Sequence, residues 1–168
     1  MKKFNLLIFL LIYMGACTKD PKPLTRTDIE ESIMVWERFK KTNANSYFFT
    51  SVTSSFSSLK TESTIFVANG NIIRKDYYAT YRNDNGDWVE ERFQETGSNV
   101  GQSPQGLAPM TMDDIYKMAL EKWLKPDVKA EVVFETDSKG ILSKAGYYPE
   151  GCRDDCFEGI IIKTISPL

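Results

Sequence analysis

Two of the chain's three cysteines, Cys152 and Cys156, sit in the stretch GYYPEGCRDDCFEGI, and three chemistries use cysteines so closely spaced. The first is metal binding. The chain has no histidine, so a zinc site here would need carboxylates such as Asp154 and Asp155 beside two thiolates, a poor ligand set for that ion. The second is dithiol redox catalysis. Thioredoxin-like sites use Cys-x-x-Cys, and copper-handling relatives with one more residue between the cysteines add a proline after the second and a distant histidine. Here Phe157 holds the proline position. The third is a structural disulfide. Four steps of strand span about 13 Å, whereas bridged α-carbons lie within about 7 Å, so a bridge requires Arg153, Asp154 and Asp155 to turn the chain back. A ring this small removes about 2 kcal/mol of unfolded-state entropy, so its effect is local shape.

The absence of histidine also excludes Ser-His-Asp and Cys-His catalysis and haem ligation by histidine. Carboxylates, Lys, Tyr and Ser remain. Asp154 and Asp155, with Asp137 or Glu158, offer oxygen ligands for calcium, yet no twelve-residue calcium-loop pattern is present and a solvated acidic turn is the plainer reading. No metal and no cofactor is expected. Glu90, Glu91, Asp113 and Asp114 are candidates for paired-carboxylate hydrolysis, and each is equally explicable as strand surface or helix start.

The amino terminus places these residues in a compartment. Lys2 and Lys3 precede an apolar run from Leu6 to Met14, followed by Gly15 and Ala16. This is the secretory-signal pattern, and the run falls short of the roughly 20 residues that cross a bilayer. Met14-Gly15-Ala16-Cys17 resembles the bacterial lipobox. That resemblance implies a diacylglycerol on the Cys17 thiol, cleavage before Cys17 and acylation of the new amino end. Several acyl chains at about 0.8 kcal/mol per buried methylene anchor a protein durably. Thr18 is not the Asp that retains such proteins in an inner membrane, which implies an outer-membrane site in the cell envelope. With Cys17 lipidated in an oxidising compartment, Cys152 and Cys156 are left to pair with each other. The expected organisation is a signal peptide at 1–16, a Pro-containing tether at 17–25 and a single α+β domain at 26–168.

The chain carries a formal charge of −2 and no basic stripe, so nucleic acid is not an expected partner. The expected partners are the membrane, through the lipid, and an envelope protein. Two segments are binding candidates, the Tyr147 to Glu158 loop and the hairpin from Ile72 to Glu95. A turn centred on Asn85-Gly86 sets Tyr78 opposite Phe93 and Arg82 opposite Val89, with Tyr77, Tyr81 and Trp88 on the other face beside Lys75, Glu90 and Arg92. Such a hairpin, with aromatics and charges on both faces, reads either as an amphipathic sheet whose aromatics cover the edge of the core or as one that projects past it, where exposed Tyr, Trp and Arg favour recognition. The candidate contact residues are Tyr78, Tyr81, Trp88 and Arg92 on this hairpin, and Tyr147, Tyr148, Arg153, Asp154 and Asp155 around the cysteine loop.

Two helices and six to seven strands must position them. Thr27-Asp28-Ile29-Glu30 has capping-box spacing, and Ile29, Ile33 and Trp36 continue an apolar stripe to about Asn43. Asn69-Gly70 marks a tight hairpin among four strands in a meander. Residues 96–110 read as a loop. Thr111-Met112-Asp113-Asp114 opens a second helix, with Ile115, Met118, Ala119 and Trp123 on its stripe and Pro126 as its stop. Strands follow at KAEVVFET, ILSKAGYY and GIIIKTI. The two halves rhyme, either as two helix-plus-sheet repeats or as one antiparallel sheet with both helices on one face.

Trp36, Tyr47 about ten residues on, Asn69-Gly70, the acidic-start helix Thr111 to Trp123, and the closing GYYPEG…DD…GIIIKTI together resemble a family of small bacterial secreted proteins and lipoproteins of unknown function. The likeness covers most of the mature chain. The family often carries a cysteine pair on the strands after the first Tyr; this chain instead has Cys152 and Cys156. The resemblance implies fold and compartment. The helix-plus-sheet duplication is also similar to the tandem modules of secreted β-lactamase-inhibitor-like proteins, which bind other proteins. The expected activity is therefore non-catalytic binding, with a carboxylate hydrolase as the alternative.

Overall fold

Thr25, not Thr27, opens the first helix. In the computed structural model, which describes residues 24–54, 59–152 and 155–168, α1 spans Arg26–Thr42. The Thr25 hydroxyl accepts from the Asp28 amide at 3.3 Å, and the Asp28 carboxylate accepts from the Thr25 amide at 2.9 Å. Both frames supply an acid three residues on, but the earlier start adds helix and gains an Arg26–Glu30 pair at 2.6 Å. The helix ends at Asn43, where Lys40 and Lys41 complement the dipole of the last turn.

Strands β1 (Tyr47–Ser54), β2 (Lys60–Ala68), β3 (Asn71–Arg82) and β4 (Trp88–Thr96) form the expected meander. Asn69 and Gly70 turn β2 into β3 with φ of 49° and 78°, the positive angles that a two-residue hairpin loop requires. Strands β5 (Ala130–Thr136), β6 (Leu142–Pro149) and β7 (Glu158–Pro167) form a second meander. The two join where β1 pairs antiparallel with β7, giving one seven-stranded sheet in the order β4-β3-β2-β1-β7-β6-β5. Of the two arrangements open from the sequence, the single sheet is the one formed.

Both helices pack on one face of this sheet. Helix α2 (Met112–Met118) is capped by Thr111 with Asp114 and widens into a π-helical turn, Ala119–Trp123. Trp36 of α1 is 1% exposed and stands edge-on to Tyr47 of β1, ring centres 4.9 Å apart. Its indole N–H donates to Asp113 at 2.8 Å, while the Met112 amide donates to the Tyr47 hydroxyl at 3.1 Å. Burial pushes the Tyr47 hydroxyl up to about 12, so it remains a neutral acceptor. Tyr116 makes the matching tie: its hydroxyl lies 2.7 Å from that of Ser32 and accepts from the Leu142 amide at 2.9 Å. These bonds fasten α1, α2 and β6 at buried positions, where an unpaired polar group costs about 1–3 kcal/mol.

Ile65 and Val67 of β2 join Trp36, Met112 and Ile115 in the same core cluster, and Tyr77 and Ala79 of β3 are buried beyond it. There the loop after β4 serves as cover, held by two buried charges. The Lys75 side chain is fully buried and donates to the Gln105 carbonyl at 2.8 Å, with Glu95 at 3.9 Å. Glu95 accepts from the amides of Gly101 at 2.8 Å and Ser103 at 2.6 Å. Farther along, the Leu107 amide donates to the Ser63 hydroxyl at 2.9 Å. Gly106, at φ +70°, lies so close to Ser63 and Tyr77 that a β-carbon would overlap both.

The β3–β4 register differs by one residue from the expected one. Tyr78 pairs with Arg92, Tyr77 with Phe93 and Arg82 with Trp88. The cause is the Asn83–Asp87 loop. The Asn83 side chain accepts from the amides of Asn85 at 3.0 Å and Asp87 at 2.9 Å, and its own amide donates to the Asp87 carbonyl. Because side chains alternate, this slip moves every β4 residue to the opposite face. Lys75, Tyr77, Ala79 and Tyr81 now share the covered face with Glu95, Phe93, Glu91 and Val89. Tyr78, Arg82, Trp88 and Arg92 share the open one. The hairpin is therefore cleanly two-sided, and its inner half does not project: Tyr77 is 7% and Ala79 1% exposed.

Two outcomes follow from the loop cover. Gly106→Ala forces both an unfavourable φ and overlap, and lowers unfolding free energy by about 1–3 kcal/mol in a denaturant titration. The amides of Gly101 and Ser103 hold the Glu95 carboxyl below its ordinary value, and the Thr111 cap does the same for Asp114. Groups with depressed folded-state values stabilise fully above the ordinary carboxylate range of about 4, and that stability is lost as pH falls through the depressed values. Melting temperature measured from pH 7 down to pH 3 therefore drops, and Glu95→Gln starts lower at pH 7 and shows a shallower acid limb.

Candidate functional site

The alternation that buries one face of β2–β4 leaves a row of arginines stacked on aromatic rings on the other. The Arg74 guanidinium lies 4.5 Å from the centre of the Phe66 ring, Arg92 4.7 Å from Tyr78, and Arg82 5.1 Å from Trp88. Each pair consists of directly opposed residues on neighbouring strands, so the stacks follow from register. Carboxylates orient the guanidinium groups. Arg74 grips Asp76 with both Nε, at 2.6 Å, and Nη2, and Gln94 donates to the same carboxylate at 3.1 Å. Arg92 donates to Glu90 at 2.8 Å, and Tyr78 donates to Glu90 at 3.2 Å. These bonds raise Arg74 and Arg92 above the ordinary arginine value, so both stay charged. A shallow cleft of 690 Å³ lies here, lined by Glu62, Thr64, Asp76, Tyr78, Arg92 and Gln94 among others. Trp88 closes the row at the hairpin tip, 58% exposed.

Phe66 and Arg74 were not among the candidates from sequence. A strict two-residue turn at Asn69-Gly70 puts Phe66 opposite Ile73. A bulge between the Val67–Ile72 and Phe66–Arg74 pairs leaves Ile73 over and brings Arg74 across from the ring. No residue pattern in β3 announces that bulge.

At the other end of the sheet the candidates separate. Tyr148 is 38% exposed and lies 5.2 Å from Phe157, with the Lys144 ammonium 4.9 Å from the Phe157 ring centre. Phe157 lies directly over Gly146, where any β-carbon would strike the ring. Tyr147 points to the covered face. It is 6% exposed and donates to Glu158 at 2.6 Å, a bond that raises its hydroxyl above the ordinary value. Its place as a contact residue is withdrawn, since alternation turns it inward. Tyr81, half-buried on the covered face, likewise falls outside the open row. Cys152 and Cys156 are bridged, with α-carbons 6.2 Å apart, and Asp155 adopts φ 40° in the returning chain. Cys17, Arg153 and Asp154 lie outside the described residues.

The carboxylates considered for hydrolysis have separate places and partners. Asp113 accepts from Trp36 and from Lys40 at 2.7 Å, Asp114 caps α2, Glu90 bonds Arg92 and Tyr78, and Glu91 lies on the covered face. Among the described residues no group of three or more Cys, Asp or Glu gathers as metal ligands, and no helix is long and apolar enough to cross a membrane. Comparison with family models, with curated proteins and with solved structures returns no match for this chain.

The disulfide has a measurable signature. The peptide containing Cys152 and Cys156 is expected at the oxidised mass in protein prepared without reductant; two free thiols there would contradict the bridge. A Cys152→Ser, Cys156→Ser variant should lose no more than about 2 kcal/mol of global stability. Its effect should be concentrated in hydrogen exchange of residues 155–159.

Proposed function

We propose that this chain is a lipid-anchored protein of the bacterial cell envelope that acts by binding a protein partner and not by catalysis, with the open face of β2–β4 as its contact surface. The observation that carries this reading is the row of three arginine–aromatic stacks at 4.5, 4.7 and 5.1 Å. Rings and guanidinium groups held by strand pairing lose little side-chain entropy on binding, and Trp, Tyr and Arg supply most binding energy at protein interfaces. The lipobox-like Met14-Gly15-Ala16-Cys17 supports the anchor, and Thr18 supports outer-membrane residence. The polar rim of Asp76, Glu90 and Gln94 suits a partner with mixed charge. Glu90, Asp113 and Asp114 each have a structural partner, which supports the binding reading over the hydrolase alternative.

The test is affinity capture of the Cys17-anchored protein from its own envelope, beside a Trp88→Ala, Arg92→Ala variant. Both side chains are exposed, so the variant should melt within a few degrees of the parent. The expected result is a co-purifying protein whose recovery falls about tenfold or more in the variant. Equal recovery with parent and variant, or no partner from either, would overturn the reading.

A further inference from the structure

The second site lies at the opposite end of the sheet, along the free edge of β5. The strand order leaves β5 with a neighbour on one side only, β6, and among the described residues no backbone hydrogen bond joins its outer edge to another element. A cleft of 710 Å³ separates this edge from α1. Its apolar lining includes Val133, Phe134 and Tyr148, and four acids, Asp28, Glu31, Glu131 and Glu135, line it with one base, Lys144, which lies 4.0 Å from Glu135.

An unpaired edge with consecutive apolar residues, Val132-Val133-Phe134, is a template for an added strand, and proteins protect such edges with charge or cover. Here the charge discriminates. A second copy pairing antiparallel across β5 about Val133 would set Glu131 opposite Glu135 twice, and like charges directly opposed destabilise a strand pair. A strand bearing Lys or Arg at alternate positions would instead meet the glutamates with opposite charge while its backbone completes the ladder. From the free edge, the cleft and this charge pattern we infer that β5 accepts an extended basic peptide segment as an eighth strand.

The full-length lipidated chain, in detergent, is titrated with acetyl-Lys-Val-Lys-Val-Lys-Val-Lys amide and with its counterpart bearing Glu for each Lys. The expected result is at least about tenfold tighter binding of the basic peptide, with slowed amide exchange confined to residues 130–136. A Glu131→Lys, Glu135→Lys variant, changed only at exposed positions, should reverse the preference. Equal affinity for both peptides, no binding of the basic one, protection elsewhere on the sheet, or an unreversed preference would each overturn the inference. So would slow exchange of 130–136 before any peptide is added: sedimentation then assigns the occupant to a second copy if the mass doubles, and to the chain's own residues if it does not.

Discussion

The buried pair of Lys75 and Glu95 decides what the rest of this molecule can be. Two ionised groups are costly inside a protein unless each is fully hydrogen-bonded, and the loop after β4 supplies the bonds. Its carbonyls at Gln105 and Ser103 face the ammonium, and its amides at Gly101 and Ser103 face the carboxylate. The loop therefore lies down over β2–β4 in one place. Without it, Tyr77, against which Gly106 of the loop lies, would lose that cover. The charges organise a lid, and the lid makes half of the sheet two-sided.

That two-sidedness gives the open face its character. Once one set of alternate residues is committed inward, the opposite set, Arg74, Tyr78 and Arg82 on β3 with Arg92 and Trp88 on β4, is committed outward and held in register by the same backbone bonds. The stacks stand on paired strands whose far side is buried, so a partner would meet a surface already arranged. The same logic excludes Tyr147, whose neighbours in sequence look alike but whose pleat turns it inward.

The architecture was legible because it rests on local signals. Asn69-Gly70, Thr111 with an acidic first turn and Trp36 on an apolar stripe each act within a few residues. They suffice to place two helices and the strands. The interaction surface was legible only in part, because it depends on offsets of a single residue. Asn83 closes its loop one position away from the Asn85-Gly86 centre, and the bulge at Ile73 moves Arg74 onto Phe66. Neither changes composition or periodicity, yet each decides which side chains meet. The capping of α1 shows the same limit, since Thr25 and Thr27 both precede an acid at the right distance and only tertiary context separates them.

The joining of β1 to β7 has a consequence in time. The first strand made is finished by the last, and Lys163 reaches Glu62 across 101 residues of sequence. Pairings of such separation close slowly, because the entropy of the long intervening chain is lost before the contact repays it. Until β7 arrives, β1 exposes one edge and the core residues Tyr47 and Phe49 lack Ile165 beside them. Folding of the sheet thus waits for β7, and a chain of this topology keeps one edge of β1 open until Glu158–Pro167 has been made.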